Sequence, residues 1–95
     1  MDKFYALSAP IRREILSLLA ESGQLSATDI AEKFRVTPSA VSQHLKVLLN
    51  TDLVEMHKQA QQRLYQLNPL GLKELESWAE QLADMIQPSS RKISN

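Results

Sequence analysis

No cysteine occurs in the 95 residues, which removes disulfides, thiolate metal sites, thiol redox sensing and cysteine nucleophiles from consideration. Nor does any apolar run approach the roughly 18 residues needed to span a bilayer. The opening Met1-Asp2-Lys3-Phe4 lacks the basic start and long apolar stretch of a secretory signal. A soluble, intracellular chain is the expectation. Glycine is scarce, at two residues, and no internal repeat or low-complexity segment is visible. An excess of either charge is also missing, because 11 basic and 11 acidic residues cancel. Zero net charge lends no support to indiscriminate nucleic-acid binding, yet phosphate responds to local charge, so the layout decides. Residues 68–87 set Lys73 against Glu74, Glu76, Glu80 and Asp84, which concentrates acid towards one end.

What is present suits one folded domain, with an apolar share of 43%. So short a chain builds a small core, which a partner subunit would supplement. Phe4, Tyr5 and Leu7 suggest a short first helix. Ser8 with Pro10 in the first turn begins the next, carrying Ile11, Ile15, Leu18 and Leu19 at helical spacing and ending at Ser22-Gly23. Three later starts share one construction. Ser26 caps a helix with Asp29 three residues on and Leu25 facing Ile30 across the cap. Thr37 caps another, with Pro38 in the first helical position and Val36 facing Val41. Asn68 caps the last, with Pro69 next and Leu67 facing Leu72.

Between the second and third of these starts the period changes to two. Val54 and Met56 share one side of a strand, as do Tyr65 and Leu67 of a second, with polar 58–62 between. The expected fold is α+β, mostly α, with about five helices and a two-stranded β-hairpin. Residues 1–87 form the domain and 88–95 a mobile tail.

The informative stretch is 27–50. A short helix, three residues and a longer helix from Pro38 make a helix-turn-helix. In that second helix Val41, Leu45 and Leu48 must face a core, while Ser39, Ser42, Gln43 and Lys46 form the opposite stripe. Serine and glutamine can donate and accept at base edges, and glutamine can pair bidentately with adenine. Ala40 offers a methyl-sized surface to a thymine methyl, and Lys46 can reach phosphate or guanine. A merely solvated helix would typically carry Glu/Lys pairs at this spacing; none of these four positions is acidic. An exposed polar helix of a bundle is the competing account. The hairpin weighs against it, since Lys58, Gln61, Gln62 and Arg63 share the same chemistry, with His57 nearby.

The stretches Ala6-Leu7-Ser8-Ala9-Pro10-Ile11-Arg12-Arg13-Glu14-Ile15-Leu16, Ile30-Ala31-Glu32-Lys33-Phe34 and Ser39-Ala40-Val41-Ser42-Gln43-His44-Leu45-Lys46-Val47-Leu48 stand in an order and spacing that resembles the ArsR-type winged helix-turn-helix repressors. The resemblance continues through Leu53-Val54-Glu55 and Arg63-Leu64-Tyr65-Gln66-Leu67-Asn68, covering about residues 3–86. It implies a cytoplasmic prokaryotic repressor binding double-stranded DNA through a recognition helix 38–50 and a wing 54–67. Ser39, Ala40, Ser42 and Gln43 would then face bases, with Thr37, His44, Lys46, Lys58, Gln61 and Arg63 at or near the backbone. It also implies a homodimer, joined through first and last helices, on a near-palindromic operator. Phe4, Tyr5, Leu75, Trp78, Leu82 and Met85 are the candidate interface, on a last-helix stripe wider than a one-sided amphipathic helix needs. The core of a helical bundle would account for that stripe too.

Relatives that sense metals do so through cysteine ahead of the recognition helix or through histidine and carboxylates on the last helix. Here Ser26-Ala27-Thr28-Asp29-Ile30 holds no thiol and the last helix no histidine, so the resemblance is to the metal-independent branch, autorepressors among them. No metal or cofactor is expected. Arg35, Asp52 and Ala60 stand where relatives often have glycine, which implies either strain or altered turns. The family's Pro-Thr-Arg becomes Pro10-Ile11-Arg12, leaving a phosphate role for Arg12 or Arg13 open. An enzyme is disfavoured, since Ser42 and His44 lie two apart on a helix and point apart. A winged-helix protein–protein adaptor and a metal-sensing repressor are the remaining alternatives.

Overall fold

The computed structural model describes residues 1–86; the expected domain end at 87 and the tail 88–95 lie outside the described residues. Five helices and three strands follow one another as α1 (Lys3–Leu7), α2 (Pro10–Ser22), β1 (Gln24–Ser26), α3 (Ala27–Phe34), α4 (Pro38–Asn50), β2 (Val54–Gln59), β3 (Gln62–Leu67) and α5 (Pro69–Ile86). The α+β, mostly helical expectation holds. Among these residues no helix is long and apolar enough to cross a membrane.

Local chemistry accounts for most boundaries. The Asp2 carboxylate accepts from Tyr5 N at 2.9 Å and starts α1. Ser26 and Asp29 exchange hydrogen bonds in a full capping box at the start of α3. Thr37 Oγ1 accepts from Ala40 N at 3.1 Å, and Asn68 Oδ1 from Leu70 N at 3.1 Å. Ser8 corrects one expectation. Its hydroxyl donates to Tyr5 O at 2.6 Å and closes α1, while Ala9, with no side-chain cap, precedes Pro10.

The hairpin belongs to a three-stranded antiparallel sheet of order β1-β3-β2. The strands of the hairpin are longer than expected, because Lys58 pairs with Arg63 and Gln59 with Gln62, leaving a loop of Ala60 and Gln61. The additional strand β1 pairs Leu25 with Tyr65. Its last residue, Ser26, then caps α3, so one short segment ties the sheet to the helix-turn-helix.

Among the described residues three non-glycine residues have positive φ: Arg35 at 56°, Asp52 at 60° and Ala60 at 57°. These are the three glycine-like positions, and the backbone keeps the turn in each case. Asp52 ends α4 in a Schellman arrangement, with Asp52 N bonded to Leu49 O and Leu53 N to Leu48 O. In the hairpin loop only the first residue has positive φ, the pattern of a type II′ turn that favours glycine there. Left-handed backbone costs a residue with Cβ about 1–2 kcal/mol. Ala60→Gly should therefore raise stability by about 1 kcal/mol in urea unfolding; an unchanged or lower midpoint would show that Ala60 is unstrained.

Ile15, Leu19, Ile30, Val41, Leu45, Leu48, Leu53 and Val54 form the fully buried centre, contributed by α2, α3, α4 and the start of the wing. The last helix contributes little to it. Its only buried residue is Gly71, with Leu72 and Leu75 packed at the margin.

Candidate nucleic-acid interface

The expected two-sidedness of α4 is present. Val41, Leu45 and Leu48 are each 0% exposed, which fixes the helix by its apolar side and leaves Ser39, Ser42, Gln43 and Lys46 exposed. No acidic residue occupies the first turn of α4, so the positive end of its dipole is uncompensated there. Thr37, also exposed, marks that end. Ala40 and His44 lie one turn apart on a flank and are half-buried.

Lys58 and Arg63 face each other across the hairpin as direct partners, both exposed. Like charges directly opposite on neighbouring strands repel, and an anion lying along the wing would relieve that repulsion. Neither they nor Lys46 has a carboxylate partner among the described residues. Ser42, Gln61 and Arg63 line a single cleft between the start of α3, α4 and the β2–β3 hairpin, and Asp29 of the capping box also borders it. Wing and helix thus share one surface. Lys46 and Thr37 do not line that cleft.

His44 faces partly inward. Its Nδ1 lies 3.3 Å from Nη1 of Arg12. Burial, and then the Arg12 charge, hold its pKa below the usual histidine value of 6.5. Arg12 and Arg13 are both engaged within the fold. Arg12 is 7% exposed and donates from Nε to Ala6 O at 2.8 Å and from Nη2 to Tyr5 O at 3.0 Å. Arg13 donates to Leu7 O at 2.6 Å. The reach of Arg12 to His44 carries no local sequence signal, since the two stand 32 positions apart.

A second exposed surface is apolar. Trp78, Leu82, Met85 and Ile86 of α5 are 49%, 43%, 80% and 78% exposed. Phe4 packs edge-on against Trp78 with ring centroids 4.7 Å apart, and Lys3 pairs with Glu74 at 2.8 Å. These contacts join α1 to α5 as one face; Tyr5, also exposed, follows Phe4 on α1 with its ring 5.0 Å from the Arg12 guanidinium. Leu75 is half-buried beneath it. Among the described residues no three His, Asp or Glu side chains are grouped to hold a metal ion.

Comparison with known proteins places this architecture. The family model "Bacterial regulatory protein, arsR family" matches residues 9–56, from the start of α2 into the wing. The transcriptional repressor SdpR of Bacillus subtilis is 37% identical over 75 residues, 79% of this chain and 82% of the relative. The arsenical resistance operon repressor of Staphylococcus xylosus is 36% identical over 85 residues, 90% of this chain and 77% of that protein. A solved structure described as a "possible transcriptional regulator for arsenical resistance" superposes with a TM-score of 0.79 at 32% identity, covering 99% of this chain and 95% of its own. The chain belongs to the arsR family of bacterial regulatory proteins, which are transcriptional regulators and not enzymes.

Proposed function

We propose that this chain is a homodimeric transcriptional repressor that reads a near-palindromic operator with α4 and holds the adjoining backbone with the β2–β3 wing. The observation that carries the reading is a contiguous surface without an unpaired acid at its centre. The exposed stripe of α4 holds Ser39, Ser42, Gln43 and Lys46, and the cationic pair Lys58 and Arg63 stands beside it without carboxylate partners. Ser39, Ser42 and Gln43 read base edges in the major groove, where glutamine and serine meet the hydrogen-bonding pattern of the bases. Ala40 offers its methyl group from the flank. Thr37, His44, Lys46, Lys58, Gln61 and Arg63 hold the phosphate backbone and set the register.

Two such units joined through α1 and α5 read half-sites about 34–36 Å apart on one duplex face. The α5 face supports this, being too apolar to be left in water. Phe4, Tyr5, Trp78, Leu82 and Met85 form the seam, with Leu75 beneath. Residues 1–87 then act as one DNA-binding and dimerising unit. No cysteine occurs anywhere in the chain, so the arsenical names of two relatives are not carried over to it.

Salt dependence separates this reading from a protein–protein adaptor. On a mixed-sequence duplex, affinity should fall steeply as salt rises, because phosphate contacts release counterions. Lys58→Ala and Arg63→Ala should each weaken all sequences alike and reduce the salt slope by about 1. No binding at low salt would favour the adaptor.

A further inference from the structure

Arg12 is a buried cation without a carboxylate partner among the described residues. Its charge is met instead by the two carbonyls at the end of α1, Ala6 O and Tyr5 O, and by the Tyr5 ring 5.0 Å from Cζ. The remaining arm, Nη1, reaches Nδ1 of His44 on α4. A guanidinium has donors only and keeps its proton. The His44 Nδ1 must therefore accept, and a neutral ring must carry its hydrogen on Nε2. That nitrogen has no hydrogen-bond partner in the protein and is not sealed from solvent. It lies on the flank of the recognition helix, one turn beyond Ala40.

We propose that Arg12 is a positioning residue for DNA binding: anchored on the end of α1, it holds His44 as the neutral Nε2–H tautomer, whose outward N–H donates to a DNA phosphate. The proposal rests on the repressor reading above. It also links the α1 edge of the apolar seam to the helix that reads bases, through one guanidinium. A charged imidazolium making an ion pair with phosphate is the competing arrangement. It would set an N–H donor on Nδ1 against a group that can only donate. Arg12 from α2 is the charged group acting on the ring, with Tyr5 of α1 behind it. The other elements packed against α4, α3 and β2, bring no charged group that acts on it.

Imidazole-nitrogen NMR on the full chain without DNA tests the anchor directly, with His57→Gln removing the other histidine. Between about pH 5 and pH 8, the expected result is an Nε2–H tautomer that titrates below the ordinary value of about 6.5. An Nδ1–H tautomer, or titration at or above that value, would overturn the proposal. The DNA step is tested by a double-mutant cycle on a mixed-sequence duplex. His44→Asn and Arg12→Gln should each weaken binding about fivefold, the worth of one hydrogen bond, and the double variant should be no weaker than either. Additive losses, or parental affinity in His44→Asn, would contradict it. If Arg12→Gln does not fold, the tautomer and the His44→Asn affinity still decide. A parent chain that binds no duplex would sink the repressor reading, whereas the tautomer is read without DNA.

Discussion

Leu82→Glu is expected to leave the fold intact and to abolish tight operator binding. The side chain is 43% exposed and adds nothing to the buried core, so a single subunit loses little by the change. Its neighbours along one side of α5 are Trp78, Met85 and Ile86, all exposed, with Phe4 from α1 against Trp78. In a two-fold assembly each interface substitution appears twice. Two carboxylates would enter an apolar seam whose nearby cation, Lys3, is already paired with Glu74, and an unpaired buried charge costs several kcal/mol. The product is a folded monomer holding one half-site at a time. Losing the second, tethered contact should reduce operator affinity by about 10²–10⁴-fold. Sedimentation and DNA binding on the same sample check both halves. A Leu82→Glu protein that remains dimeric and binds as the parent does would remove α5 from the interface.

Gly71→Ala should be among the most damaging single-methyl changes in the chain, although alanine is the better helix former by about 1 kcal/mol. Gly71 is the third residue of α5 and is buried against the α4–β2 turn. A Cβ there would land on the Asp52 carbonyl oxygen, with the carbonyl carbon 2.7 Å away. That carbonyl has no freedom to retreat. Asp52 sits at φ 60°, its N–H is bonded to Leu49 O, and the next N–H, of Leu53, is bonded to Leu48 O. The Leu53 carbonyl in turn accepts from Asn68 N at 3.0 Å. Overpacking against a fixed neighbour costs about 1–3 kcal/mol or more, which exceeds the gain in helix propensity. Thermal unfolding should show a midpoint lower by about 10 °C, at roughly 4–8 °C per kcal/mol for a domain of this size. The dimer should weaken in parallel, because α5 is displaced. An equal or higher midpoint would show that the turn can move.

The same two elements show what the sequence could reveal. Helix starts were legible because a cap acts over three residues, as Ser26 with Asp29 and Thr37 with Ala40 show. Ser8 is ambiguous in the sequence because two helix ends compete for its hydroxyl, and in the fold the end of α1 wins. The strained positions were legible by resemblance, since Arg35, Asp52 and Ala60 occupy turns whose shape the surrounding chain imposes. Strand β1 was not. Three residues carry no period, and its stability comes from β3, some 40 positions away, with Gln24 opposite Gln66. The stripe of α4 was legible from helical spacing alone. The Arg12–His44 contact was not, because composition names a cation and an imidazole without bringing them together.

Selection of duplexes from a genomic pool by the parent and by Gln43→Ala tests most directly whether the outer face of α4 reads bases. The parent should enrich a near-palindrome with half-sites one helical turn apart. Gln43→Ala should bind that sequence about 1–3 kcal/mol more weakly and accept other bases at one symmetric pair of positions. Identical sequence preferences for the two proteins would contradict the account.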